Sequence, residues 1–313
     1  MDPTPFFSIF FIAMANIGYS FLLILAAFIW GTTFVAQAEG NSAGPFVFTC
    51  TRNLIAAALL FGLAKTLDAT GKSPRRPATP AQRKKLWKAG ILCGIALTFG
   101  TNFQQLGLYL GTSAGKSGFL TTCYIILVPV LSAFIGKKIN LKSWICVGIT
   151  LVGLYMLCIK DGFTVEVSDG VLLLCALSFA IQILFVDKYG PDVDNVRLSA
   201  IQCLVAGVLS AAPMFLVDME CSAAGMVRAV EIYSHGSAWI PLLYAAVLSS
   251  GVAFTLQIVA QNKIKPTIAS LLMSLESVFA VLGGWAVLGE QLTLREGLGC
   301  IIMMVAVILS IKK

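Results

Sequence analysis

The sequence contains few charged residues for its length. Asp, Glu, Lys and Arg make up 12% of the 313 residues, whereas 58% are hydrophobic, and the mean hydropathy is +0.88. A soluble domain does not need so much apolar surface, because most of its exposed side chains are polar. The composition therefore excludes a soluble globular protein and indicates a chain that lies within a lipid bilayer.

Reactive groups are also scarce. The single histidine, His235, lies in a polar loop, which excludes a histidine-based metal site or proton relay. The nine cysteines form no CxxC motif, and all but Cys221 lie in apolar runs, so we interpret them as small buried side chains rather than metal ligands. No GxxxxGK[ST] phosphate-binding loop occurs, which argues against a built-in ATPase. No cofactor is expected.

Apolar runs of about 20 residues recur from end to end, and each can cross a hydrocarbon core of about 30 Å as a helix. They predict an all-α integral membrane protein with ten transmembrane helices, at residues 17–38, 45–65, 89–110, 117–136, 144–159, 170–186, 198–217, 239–261, 266–288 and 297–311. The first run already begins at Pro5 and is too long for one upright helix. Residues 1–16 are therefore expected to be an interfacial or non-native extension, with Met14 as an alternative start.

Basic residues are distributed unequally between alternate loops. The segment Asp68–Lys88 is rich in them, and its prolines predict an extended linker. The loops on the opposite side carry only Lys116, Lys160, Arg228 and Arg295. The positive-inside rule therefore predicts that the N-terminus and the terminal Lys312–Lys313 are cytoplasmic, and the compact loops favour a bacterial inner membrane. The basic linker could instead bind anionic lipid or nucleic acid, but cytoplasmic anchoring is favoured and no nucleic-acid partner is expected.

The sequence contains an internal repeat. Residues 101–146 align without a gap with residues 254–299, which brings Gln104 over Gln257 and Cys123 over Glu276. Earlier in the chain, an offset of 150 positions brings Arg52 over Gln202. An odd number of spans per copy makes the second copy enter the membrane from the opposite side, so the pattern predicts two inverted five-helix repeats. In secondary transporters built this way, the substrate path lies between the repeats.

Glu276 is the strongest single candidate, because it lies near the middle of the apolar segment Thr267–Leu292. A charge at the bilayer centre costs about 3 kcal/mol on insertion scales, so such a residue is a functional hypothesis by default. It can couple transport to protons or bind a cationic group, since a carboxylate in low dielectric can load and release a proton. The alternative is a structural carboxylate held by Ser or Gln of a neighbouring helix.

Further polar residues lie within the predicted spans. Each of them either lines a substrate path or bonds one helix to another, and both interpretations are open. Arg52 is interpreted as a buried tether to helix ends or to an acidic partner, in preference to a contact with an anionic solute. The candidate substrate-binding residues, besides Glu276, are Trp30, Thr33, Gln37, Gln104, Tyr109, Thr121, Tyr124, Gln182, Gln257 and Gln261.

Four segments resemble the EamA family of the drug/metabolite transporter superfamily: Leu25–Phe34, Thr51–Asn53, Ser274–Val278 and Leu288–Leu292. The resemblance covers the chain from about residue 17 and implies two repeats, at residues 17–160 and 168–311. It also implies a central cavity lined mainly by spans 1, 3, 4, 6, 8 and 9. Ser277 stands where the family usually has a proline, so the kink of the ninth span is either lost or taken over by Ser and Gly.

These observations predict a secondary active transporter that moves a small organic metabolite, an amino acid or an amphipathic drug-like compound, by alternating access. Export is the expected direction, and Glu276 is the expected coupling residue. The alternatives are an uptake or exchange carrier of the same fold, an integral-membrane enzyme acting on lipid, and a structural membrane protein. The expected partners are the solute and the lipid bilayer, and the pattern is compatible with a monomer.

Overall fold

The computed structural model describes residues 4–73, 75–112, 114–159, 166–234, 236–288 and 293–311, and every regular element among them is helical. Two π-helical segments, Met214–Asp218 and Ala245–Ala253, extend α8 and join α10 to α11. The predictions for Lys160, His235, residues 289–292 and Lys312–Lys313 lie outside the described residues. The helices are α1 (Thr4–Glu39), α2 (Pro45–Ala69), α3 (Pro80–Tyr109), α4 (Ala114–Thr122), α5 (Tyr124–Phe134), α6 (Leu141–Cys158), α7 (Val167–Tyr189), α8 (Asn195–Pro213), α9 (Ala223–Ser234), α10 (Trp239–Tyr244), α11 (Phe254–Gln261), α12 (Pro266–Met273), α13 (Glu276–Leu288) and α14 (Leu294–Ile311).

Eight helical segments of the described chain are long and apolar enough to cross a bilayer, and α6 adds a shorter apolar helix over Leu141–Leu157. α3 is long enough, but Asn102, Gln104 and Gln105 on its buried face lower its hydropathy. The all-helical membrane architecture is therefore confirmed, whereas the predicted number of ten spans is confirmed only in part.

Helices of the two predicted repeats interlock. α2 packs along α8, α3 along α7, and α6 along α14. The α6–α14 crossing is very close, because a Cβ added at Gly153 would lie 2.9 Å from the Gly299 carbonyl oxygen, and one at Gly299 would lie 2.7 Å from that of Gly153. Within the pairs α2–α8 and α6–α14, the two helices are separated by the repeat offset. Each pair thus lies where two copies related by a two-fold axis would meet.

Two helices are interrupted at repeat-equivalent positions. α4 gives way to α5 at Cys123, and α12 gives way to α13 between Met273 and Glu276. At the second interruption the Ser277 amide donates to the Ser274 carbonyl oxygen (3.2 Å), and the Ser274 hydroxyl donates to the Leu271 carbonyl oxygen (2.7 Å). These tight-turn and hydroxyl hydrogen bonds interrupt the helix although the proline is absent. The kink of the ninth span is therefore kept, with Ser274 and Ser277 in place of the proline.

Two segments are more helical than the sequence predicted. α3 begins at Pro80, inside the predicted extended linker, because Thr79 and Gln82 cap each other's backbone amides and Pro80 takes the first helical position, where no N–H is needed. α1 begins at Thr4, so most of the predicted extension 1–16 is continuous with the first span. Whether residues 1–16 form an interfacial or non-native extension stays a prediction.

Candidate functional site

A cavity lies between the two halves and is lined by helices of both. The space in it that water molecules can occupy has a volume of about 40 Å³. That space holds about three waters, so the lining side chains crowd it. The lining residues are Trp30, Thr33, Phe34 and Gln37 of α1, Arg52 of α2, Thr101 and Gln104 of α3, Thr121 of α4, Tyr124 of α5, Phe179, Gln182 and Ile183 of α7, Ser249, Phe254 and Gln257 of the α10–α11 helix, Met273 of α12 and Glu276 of α13.

Most of the predicted site residues converge on this cavity. Gln261 lies one turn beyond the lining, where its Oε1 accepts a hydrogen bond from Gln257 Nε2 (2.8 Å). Tyr109 is the last residue of α3, is 55% exposed and lies outside the lining, so its predicted role stays a prediction. The other nine line the cavity: Trp30, Thr33, Gln37, Gln104, Thr121, Tyr124, Gln182, Gln257 and Glu276. Their role in binding a solute stays a prediction.

Glu276 is buried at the first position of α13 and borders the cavity. Its Oε1 accepts hydrogen bonds from the Thr122 hydroxyl and the Tyr124 hydroxyl, both at 3.2 Å. Thr122 is also 2.9 Å from the Ser277 hydroxyl, which ties the two helix interruptions together. A helix N-terminus favours negative charge, so the interruption of the ninth span places the carboxylate where the helix dipole and neutral hydroxyls both stabilise it.

Glutamine side chains form a second set of contacts around the cavity. Gln257 Nε2 donates to Gln182 Oε1 (3.0 Å), and Gln182 Nε2 donates to Gln202 Oε1 (3.2 Å). Across the cavity, Gln37 Nε2 donates to Gln104 Oε1 (3.2 Å). Gln37, Gln104, Gln182 and Gln257 therefore bond helix to helix and line the cavity at once, while their place on a substrate path stays a prediction.

Aromatic side chains form much of the remaining wall. The Trp30 and Phe254 rings lie 5.1 Å apart between centroids, and Trp30 Nε1 donates to the Ser249 carbonyl oxygen (3.4 Å). Phe34 and Phe179 add further apolar surface. The wall thus combines aromatic faces with amide groups.

Arg52 is the lining residue that the sequence interpretation placed elsewhere. It is 1% exposed, and its guanidinium carbon lies 5.8 Å from the centroid of the Phe48 ring. Within the described chain, its Nε and Nη1 have no hydrogen-bond partner and no carboxylate lies within ion-pair distance. The predicted acidic partner is therefore not found there. The available signal was an arginine in an apolar run, Pro45–Ala64, that contains no Asp or Glu.

A bundle of apolar helices around a cavity of mixed apolar and polar lining, with a carboxylate and an arginine buried in its wall, is typical of a membrane transporter. The comparisons with known proteins agree. The chain matches the EamA-like transporter family twice, over residues 17–159 and 168–312. The chain belongs to this family.

The relatives are themselves described as transporters. The chain is 30% identical over 289 residues to an uncharacterized transporter of Archaeoglobus fulgidus, covering 92% of this chain and 83% of the relative. It is 25% identical over 294 residues to the uncharacterized transporter YoaV of Bacillus subtilis, covering 90% and 92%. One solved structure superposes with a TM-score of 0.73 over 93% of this chain and 96% of that chain at 17% identity, which shows a shared fold.

Proposed function

We propose that the protein is a secondary active transporter that moves a small organic solute through the cavity by alternating access. The observation that carries the proposal is a cavity between the two halves, lined by aromatic and polar side chains, with the buried carboxylate of Glu276 in its wall. The cavity is too crowded for an amino-acid-sized solute as it stands, so loading requires the lining helices to move apart. Such rearrangement of one repeat against the other is how inverted-repeat transporters expose a site to either side.

Glu276 is the proposed coupling residue. Its two hydrogen-bond partners, Thr122 and Tyr124, carry no charge. Burying a carboxylate without a cation is costly. A cycle in which Glu276 carries a proton, or a cationic group of the solute, while the cavity is closed avoids that cost. Release of the proton or solute on the other side then lets the carboxylate reset.

Orientation and direction complete the proposal. The basic loops support an N-terminus and a C-terminus in the cytoplasm, within a bacterial inner membrane. Export is the direction that we propose, since it is the one that the family resemblance implies. The solute class follows from the wall, whose aromatic faces and amides suit an amino acid or another amphipathic compound.

The test compares the culture media of cells that express the wild type or Glu276→Gln by untargeted mass spectrometry. We expect at least one solute to accumulate in the medium with the wild type and to fall to the level of empty cells with the variant. The matched control is Glu296→Gln, since Glu296 is equally buried but caps the start of α14 through Thr293 and lies outside the cavity lining. Full export by Glu276→Gln at equal membrane abundance would contradict the coupling role.

A further inference from the structure

Arg52 is the feature of the cavity that the proposed transport cycle does not use. It is among the largest fully buried side chains of the described protein, and it lies in the cavity wall. A buried charge is normally paired, since desolvation without a partner is costly. Here Nε and Nη1 are buried without hydrogen-bond partners among the described residues. The arginine thus has unused donors in the wall of the cavity that the lining helices would have to open for a solute.

Comparison of the two repeats indicates that the helix pairing does not need a charged residue at the position of Arg52. Gln202 occupies the equivalent place in the second copy, and its side chain accepts a hydrogen bond from Gln182. A neutral amide therefore fits the same helix pairing, α2 with α8. Phe48 supports one side of the guanidinium, which restricts its orientation but supplies no acceptor.

We propose that Arg52 binds a carboxylate of the transported solute, which makes the cargo a small carboxylate-bearing compound with an apolar or aromatic body. The inference rests on the proposed transport function. The planar guanidinium presents donors in a fork that matches a carboxylate. A single arginine in the lining balances one negative charge, which favours a carboxylate over a doubly charged phosphate. Because Glu276 shares the cavity, a solute that also carries an ammonium group balances both side chains.

The test uses the purified full chain in proteoliposomes with matched probes: leucine and phenylalanine, their carboxamides, and the corresponding amines that lack the carboxylate. We expect the wild type to move at least one acid about tenfold or more faster than its carboxamide, because a site built for a polar group discriminates strongly against analogues that lack it. In Arg52→Gln the acid should slow to about the rate of the carboxamide, while carboxamide transport changes by less than about twofold.

Stability supplies a readout that a merely structural arginine would not give. Removing an unpaired buried charge relieves its desolvation, so ligand-free Arg52→Gln should melt at the same or a higher temperature than the wild type. The transported acid should raise the melting temperature of the wild type but not of the variant. A tether would instead produce a lower melting temperature together with an unchanged preference for the acid.

Arg197→Gln is the matched control. Arg197 is also largely buried, but it pairs with Asp68 (2.6 Å) and Asp194 (2.9 Å) outside the cavity lining. Its variant should melt at a lower temperature and keep the acid-to-carboxamide ratio of the wild type. The inference is overturned if the wild type moves carboxamides or amines as fast as acids, if it moves none of the acids, or if Arg52→Gln keeps the preference. If the protein moves the carboxamides or the amines but none of the acids, the proposed transport function still holds while the role of Arg52 does not.

Discussion

The two ends of the antiparallel pair α2–α8 are closed by aspartates at repeat-equivalent positions, but with different chemistry. At one end, Asp218 Oδ2 accepts hydrogen bonds from the backbone amides of Phe46 (2.8 Å) and Val47 (2.7 Å), in the first turn of α2. At the other end, Asp68 accepts from Arg197 Nη2 (2.6 Å), in the first turn of α8. The first contact caps a helix N-terminus directly, and the second is an ion pair.

The residues around each aspartate explain the difference. The repeat offset places Gly44 opposite Asp194 and Val47 opposite Arg197. Asp194 caps its own helix by accepting from the Arg197 amide (2.8 Å), whereas Gly44 has no side chain and leaves the start of α2 open to Asp218. Asp68 meets a charged side chain where Asp218 meets bare amides. The cap at one end is thus local, and at the other it is supplied by the partner helix.

The comparison shows that the repeat keeps positions while exchanging chemistry. The same exchange occurs in the cavity, where Glu276 of the second copy replaces Cys123 and Arg52 of the first copy replaces Gln202. In the proposed transport cycle, the symmetry of the repeat supplies two related conformations, one open to each side. Inequality of the side chains then allows the two conformations to differ in their affinity for solute and proton, as a directional cycle requires.

The largest effect is expected from Gly44→Ala. Gly44 has a φ of 101°, and a Cβ there would lie 2.5 Å from atoms of the Asp218 carboxyl group. Strain and the displaced cap should together cost about 2–4 kcal/mol of unfolding free energy. The measurement is denaturant unfolding of the detergent-purified protein. Gly62→Ala is the control, since a Cβ at Gly62, within α2, meets nothing within 4 Å and should be neutral or stabilising. Equal stability of the two variants would show that the Asp218 end is not sterically specified.

A smaller effect is expected from Asp218→Ala. It removes the acceptor of both amides and leaves the first turn of α2 without its cap, which should cost about 1–2 kcal/mol in the same unfolding measurement. Asp218→Asn keeps an acceptor oxygen at the same place and should recover most of that loss. If both variants lose the same stability, the charge rather than the cap holds this end, and the contrast with the Asp68–Arg197 end disappears.

The sequence alone was sufficient to predict most of the lining residues that are polar or charged within an apolar segment. A carboxylate in an apolar run identified Glu276, and polar residues spaced along predicted helices identified eight further lining residues. The surroundings of Arg52 could not be predicted from the sequence, because they depend on which helices meet α2, and that information is tertiary. The position of Tyr109 outside the cavity lining could not be predicted, because helical periodicity does not tell which way the last turn of a helix faces. The pairing of Asp68 with Arg197 across α2 and α8 likewise needed the contact itself.

The smallest effect on the protein is expected from cysteine substitutions that report which side of the membrane each end of the α2–α8 pair faces. Cys221 is exposed and lies three residues beyond Asp218, while Lys72 is exposed and lies close to Asp68 in the chain. With both termini in the cytoplasm, a membrane-impermeant maleimide should label Cys221 in intact cells, and Cys221→Ser should abolish that signal. Lys72→Cys in the Cys221→Ser background should react only after permeabilisation. Neither substitution should change stability, because neither side chain is buried. The reverse labelling pattern would invert the topology, and Asp218 would then close the cytoplasmic end of the pair.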